Sequence, residues 1–224
     1  LKWASEKENR YLIEDDHDSE YRYRGKPIPS LQSVDHFDKV IYVGTFSKSI
    51  APSLRISYMV LPPELLNRYH EKCGFYSATV PKIQQEVLRA FIEEGHFERH
   101  LNKMRGIYRA KHDFLLAELK KRNWVDGDHA GLHVLVQIRT EKKEAEICDL
   151  AGKQGIRIYG ISEYVVPEMA SNGYENTKYS KYSIESEKIG SAGTAPDKPI
   201  LLLGYGRLCE DEIRKGLLIL DTII

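Results

Sequence analysis

Val40-Ile-Tyr-Val-Gly-Thr-Phe-Ser-Lys48-Ser-Ile-Ala-Pro-Ser-Leu-Arg55-Ile-Ser-Tyr-Met-Val-Leu61 sets a lysine just beyond one apolar run and an arginine just before the next. Val40 to Val43 is short, apolar and β-branched, as a buried strand is, and Gly44-Thr45 marks where it leaves the core. A second apolar run, Ile56 to Leu61, stops at Pro62-Pro63. The pattern predicts strand, polar turn, strand, with Lys48 in the turn. Thr45, Ser47 and Ser49 surround Lys48. Hydroxyls and backbone N–H groups beside a cation suit an anion such as a phosphate.

Two readings of Lys48 follow. In one it is a solvated charge on an ordinary exposed turn. In the other it is a nucleophilic amine, which forms a Schiff base with a carbonyl when partial burial or a neighbouring cation lowers its pKa. Arg55 is a candidate for that cation.

Upstream, Tyr11 to Ile13 reads as a short strand that delivers Glu14-Asp15-Asp16-His17-Asp18 at its carboxyl end, where open α/β sheets place ligand sites. Such a cluster caps local N–H groups in a solvated turn, or holds a hard cation. It lacks the glycine and the bidentate glutamate of a calcium loop, so no metal site is expected. Downstream, Arg207 follows the apolar run Ile200 to Tyr205, and Gly204 and Gly206 just ahead of it let the backbone approach a ligand. A guanidinium fork there suits a carboxylate, or else a surface salt bridge.

Composition narrows the classes. The chain has 224 residues and is 42% hydrophobic, enough for a real core. Its 33 basic and 33 acidic side chains cancel, so no overall field draws it to nucleic acid or an anionic membrane. No run of apolar residues has transmembrane length and the first residues are not a signal peptide, so a cytoplasmic location is expected. Cys73, Cys148 and Cys209 are odd in number and widely spaced, which speaks against a disulfide framework or a zinc site.

Periodicity predicts the remaining elements. Residues 22 to 38 read as a surface loop anchored by Leu31, and a short helix follows Pro63. Lys82 to Glu94 reads as a helix with Ile83, Val87, Ala90 and Phe91 facing the core. A long helix is expected from Phe97 to about Arg122. Its basic residues are interleaved with acids and read as a solvated side rather than a nucleic-acid face. Strands are expected at 132–138, 156–159 and 199–205, and helices at 141–154 and 210–223, the last with Ile213, Leu217, Leu218 and Leu220 on its apolar side. Residues 171 to 198, rich in Ser, Lys, Glu and Gly, read as a long surface loop.

Several phrases together carry a family resemblance. Gly44-Thr45-Phe46-Ser47-Lys48-Ser49 with Leu54-Arg55-Ile56 resembles the cofactor-lysine segment of fold-type I, pyridoxal-phosphate-dependent aminotransferases. Ile13 to Tyr23, followed by Pro27-Ile28-Pro29-Ser30-Leu31-Gln32, is similar to the acidic signature of MocR/GabR-type transcription regulators of the GntR superfamily. Gly95-His96-Phe97-Glu98-Arg99-His100-Leu101, Ala130-Gly131-Leu132-His133 and Gly204-Tyr205-Gly206-Arg207-Leu208 agree.

The resemblance implies an α/β chain: residues 1–108 as part of a large domain with a mainly parallel sheet, and 109–224 as an α+β small domain. It implies pyridoxal 5'-phosphate held by Lys48 as an internal aldimine, Asp15 paired with the ring nitrogen, and Thr45, Ser47 and Arg55 at the phosphate. An amino compound would displace Lys48 as an external aldimine, with Arg207 on its carboxylate. His17 stands where many relatives carry a tyrosine aimed at the ring oxygen. An imidazole there makes the contact sensitive to pH. The resemblance further implies a homodimer, and a winged-helix DNA-binding domain with the first half of the large domain ahead of Leu1. A working aminotransferase is the alternative it allows.

Overall fold

The structure is a computed structural model that describes residues 1–26, 28–126, 131–164 and 198–224. The chain divides into two compact units, Leu1–Ile107 and Tyr108–Ile224.

The first unit opens with α1 (Lys2–Ser5), then β1 (Leu12–Asp16), β2 (Val40–Thr45), α2 (Phe46–Ser49) and β3 (Ser57–Val60). Three strands form one sheet in the order β1-β2-β3. β1 runs parallel to β2 and β3 antiparallel to it. The expected mainly parallel sheet is thus, among the described strands, one parallel and one antiparallel pair. Val40 of β2 is buried, as are Ile56, Leu101 and the two tyrosines Tyr21 and Tyr23 of the same unit. β1 is longer than its apolar residues indicate. The parallel ladder carries Glu14, Asp15 and Asp16 into the sheet rather than into a turn.

α3 (Pro63–Cys73) and α4 (Lys82–Glu93) follow. α4 forms where periodicity placed it, but Ile83 and Val87 are 79% and 66% exposed, so they do not face a core. They line an apolar groove with Ile50, Leu54, Leu88 and Phe91. Helical spacing defines the stripe; it does not supply the surface that covers it. Leu31 is likewise 44% exposed. The loop is held instead by its backbone, since the Glu14 carboxylate accepts the N–H groups of Leu31 at 2.8 Å and Gln32 at 3.0 Å.

α5 (His96–Lys121) begins in the first unit and ends in the second. The second unit continues with β4 (Val125–Asp126), β5 (His133–Gln137), α6 (Glu144–Lys153), β6 (Tyr159–Gly160), β7 (Ile200–Gly204) and α7 (Glu210–Ile223). The strands pair antiparallel in the order β4-β5-β7-β6. This is the α+β pattern expected, although Ile156 to Ile158 stay outside the ladder and only Tyr159 and Gly160 pair with β7. Val134, Val136, Leu201 and Leu203 bury one sheet face against Leu115, Leu119, Ile147, Ile213, Leu217 and Leu220. Leu218 is 53% exposed, because α7 turns it away from that stripe. Of the stretch read as a surface loop at 171–198, residues 171–197 lie outside the described residues.

Charge ties α5 to α7. Arg122 is mostly buried and places its guanidinium on both Asp221 oxygens at 2.9 Å and on Glu118 at 3.0 Å. Hydrogen bonds from Lys121 and then Arg122 hold the Glu118 carboxyl below its ordinary range. A depressed carboxyl contributes stability that is complete above its unfolded pKa and is lost as pH falls through the folded one. Urea unfolding of the second unit, followed by Trp124 fluorescence in a Trp3→Phe background, should weaken between about pH 6 and pH 3. Glu118→Gln should flatten that slope, by about 1 kcal/mol or less because Lys121 is solvent-exposed.

Candidate functional site

Topology gathers the chemistry of the first unit at one end of its sheet. β1 and β2 are parallel, so the carboxyl ends that carry Asp15, Asp16 and Thr45 lie side by side. β3 starts at the same end, with Ser57 opposite Thr45, and Arg55 stands just before it. His17 follows β1 and Lys48 lies in α2 directly after β2.

Strand alternation then sorts the acidic residues. Asp15 is in register with Val43 and Met59, whereas Asp16 is in register with Gly44 and Tyr58, on the opposite face. Asp16 is engaged: it accepts the Tyr42 hydroxyl at 2.6 Å, the Ser19 hydroxyl at 2.7 Å and the Ser19 N–H at 3.2 Å. Glu14 is engaged by the loop at Leu31. Asp15 and His17 are exposed. Of the three consecutive acids, Asp15 is therefore the one presented outward. No group of three or more His, Cys, Asp or Glu side chains is placed to hold a metal among the described residues.

Burial, and next the Asp16 carboxylate, push the Tyr42 phenol far above its ordinary pKa, so it remains a donor throughout the accessible pH range. Beside it Gly44 lies under the Tyr58 ring. A Cβ at position 44 would come within 2.4 Å of that ring. Tyr58 also packs on Phe46, with centroids 5.1 Å apart, and Phe46 on Phe97 at 6.0 Å. Gly44→Ala should displace Tyr58 and destabilise the first unit by about 1 to 2 kcal/mol, the low end of overpacking costs because Tyr58 can swing toward solvent. Loss of near-UV circular dichroism together with a lower urea midpoint would be the readout.

The Lys48 turn is held from three sides. Thr45 caps α2: its hydroxyl accepts the Ser47 N–H at 3.2 Å and donates to the Ile56 carbonyl at 3.3 Å. The Phe46 N–H bonds the same carbonyl at 3.0 Å. Finally the hydroxyl of Tyr21, a fully buried ring, donates to the Lys48 carbonyl at 3.0 Å. The Lys48 side chain is half-buried. Arg55 has φ 51°, in the left-handed region that costs a non-glycine residue about 1 kcal/mol. Tyr21 and Tyr42 were not singled out by sequence reasoning. Tyr21 lies within the acidic phrase, and Tyr42 alternates with Gly44 along β2, but only the fold reveals their partners.

In the second unit Arg207 is exposed on the turn after β7. The turn is pinned by Tyr205, whose hydroxyl donates to Gly131 at 2.6 Å and whose N–H bonds Leu132 at 3.2 Å. The Leu208 N–H closes it on the Tyr205 carbonyl at 3.0 Å.

The sequence that folds into this sheet end matches a family model for aminotransferase class I and II over residues 7–171. The chain belongs to that family. Its curated relatives include transcriptional regulators. The HTH-type transcriptional regulator YdeL of Bacillus subtilis (strain 168) is 44% identical over 166 residues, which cover 72% of this chain and 36% of YdeL. The HTH-type regulator YhdI of the same organism is 37% identical over 226 residues, covering 99% of this chain and 42% of YhdI. Among solved structures, the multiple substrate aminotransferase of Thermococcus profundus superposes with a TM-score of 0.74 at 22% identity, over 100% of this chain and half of that one. The fold is that of fold-type I aminotransferases, and the chain spans less than half the length of the two regulators. No described helix of this aminotransferase-family chain is long and apolar enough to cross a membrane.

Proposed function

We propose that this chain is the pyridoxal-phosphate-binding, effector-sensing part of a bacterial GntR/MocR-type transcription regulator. The observation that supports it best is the gathering of Asp15, His17, Thr45, Ser47, Lys48 and Arg55 at the shared end of β1, β2 and β3. The donor set fits the group: an amine for an aldehyde, a carboxylate for a pyridinium, hydroxyls and a guanidinium for a phosphate. When bound, pyridoxal phosphate supplies an aldehyde that condenses with amines and a ring that draws electrons from the adjoining bonds.

The chain's own residues do the rest. Lys48 is the amine that holds the cofactor and yields its place to an amino compound. Asp15 keeps the ring nitrogen protonated, and His17 stands near the ring oxygen. Thr45, Ser47 and Arg55 take the phosphate. Arg207 takes the carboxylate of the incoming compound. The relatives' names favour regulation: both regulators are similar along this chain, and DNA contact falls to a domain outside these 224 residues. A cytoplasmic homodimer responding to a small amino compound completes the reading.

The test is an absorbance titration of the purified chain with pyridoxal phosphate, then borohydride reduction and peptide mapping. A single adduct on Lys48 is expected. Label scattered over many lysines would sink the reading. Conversion of added amino acids to oxo acids in the same cuvette would instead make the protein an aminotransferase.

A further inference from the structure

We infer that Lys111 is the positioning residue for Arg207. Its ammonium donates to the carbonyl of Gly206 at 3.0 Å, reaching from α5 across 95 residues of sequence. That carbonyl belongs to the peptide unit whose nitrogen is the backbone N of Arg207, so the bond fixes the plane from which the Arg207 side chain departs.

The turn needs such a restraint. Gly204 and Gly206 flank Tyr205, and glycine gives a backbone the widest choice of conformations. Gly204 is confined by the His133 ring, which a Cβ at 204 would approach to 3.2 Å. Tyr205 is held by Gly131 and Leu132, as described above. At Gly206 the nearest atoms to a Cβ are those of Leu132 at 3.6 Å and beyond, which is ordinary contact and no lock. Lys111 supplies a polar restraint at that step. A lysine suits the task because its compact ammonium caps one carbonyl along a flexible stem, where an arginine fork would seek a second acceptor. Lys111 is half-buried, so the bond is partly shielded from water.

This inference rests on the proposed role of Arg207 as the carboxylate-binding residue, and the experiment separates the two. Lys111→Met keeps the apolar stem and removes the donor. The first readout needs no ligand: backbone 15N relaxation of the full chain. The Arg207 and Leu208 amides should drop from rigid order parameters near 0.85 to below about 0.6 in Lys111→Met, and recover in part in Lys111→Arg. Unchanged order parameters overturn the inference.

The second readout uses a matched pair of probes on the cofactor-loaded chain, L-phenylalanine and phenethylamine, which differ by the carboxylate. Lys111→Met should weaken phenylalanine about tenfold and leave phenethylamine unchanged, whereas general loosening weakens both. If Arg207→Gln removes the preference for the carboxylate and Lys111→Met does not, the inference fails and the reading of Arg207 stands. If Arg207→Gln leaves the preference intact, the reading of Arg207 fails and the inference falls with it. Where wild type binds neither probe, the relaxation result alone decides the positioning claim.

Discussion

Replacing Lys48 with alanine should abolish the borohydride-stable adduct at position 48 and, with it, the absorbance band of the cofactor-loaded chain. The expected loss is complete, since no other amine lies in the turn that Thr45, Tyr21 and Ile56 hold together. Lys48→Arg sharpens the result: it retains the positive charge, and hence attraction for a phosphate, but a guanidinium stays protonated and forms no Schiff base under these conditions. Neither change should disturb the fold by more than about 0.5 kcal/mol, because the bond from Tyr21 is to the Lys48 carbonyl and survives any side chain. A variant that still reduced to a single specific adduct elsewhere would move the cofactor site away from this turn. Tyr21→Phe provides the complementary check. It leaves the amine in place and frees the Lys48 peptide, so the adduct should form with a weaker apparent affinity.

Glu144→Ala should cost the second unit about 3 kcal/mol, the largest stability effect expected from any single polar residue here. Glu144 begins α6, is 8% exposed, and accepts three hydrogen bonds. One oxygen takes the Ile200 N–H at 2.9 Å in a buried position; the other takes the N–H and hydroxyl of Ser162. The carboxylate thus ties the short helical turn Ile161–Tyr164 to the first residue of β7. Alanine would leave two backbone donors without an acceptor, and an unmet buried donor costs about 1 to 3 kcal/mol. Gly160 shows how tightly the carboxylate is enclosed, since a Cβ there would lie 2.5 Å from a Glu144 oxygen. For a unit of this size the loss corresponds to a fall in Tm of roughly 10 °C, measurable with the urea midpoint. Glu144→Gln, which keeps one acceptor and turns an amide toward the other donors, should fall between. A change below about 0.5 kcal/mol for alanine would mean that water replaces the carboxylate at both sites.

Much of the fold was legible along the chain. The apolar, β-branched run at Val40 to Val43 lies in β2, the stretch read as a polar turn after it folds instead as the short helix α2 with Lys48 in it, and α5 and α7 lie within a residue or so of their periodic signals. The phrase around Lys48 pointed to the aminotransferase family, which the family model matches over residues 7–171. Other readings stopped at the limit of local pattern. Ile83 and Val87 form an apolar stripe, yet they are exposed, because periodicity describes one partner of a contact and not the other. Ile156 to Ile158 have strand composition, but hydrogen bonding to β7 begins only at Tyr159. Glu144 lies in the helix expected at 141–154, but nothing local shows that its carboxylate is buried on Ser162 and on Ile200, 56 positions away.

By itself the sequence determined the inventory and its local order: a lysine and hydroxyls after one apolar run, a cluster of acids behind another, an arginine behind two glycines after a third. Side-chain chemistry and short-range periodicity suffice for that. Tertiary structure decided which of those groups are available. The parallel register of β1 and β2 puts Asp16 beside Gly44 and within reach of Tyr42, commits Glu14 to the loop at Leu31, and leaves Asp15 outward. A shift of one residue along the strand would exchange their faces, since successive side chains alternate. Likewise the anchors of the functional turns, Tyr21 for Lys48 and Lys111 for Gly206, act across 27 and 95 positions, distances at which no local sequence pattern reports a contact.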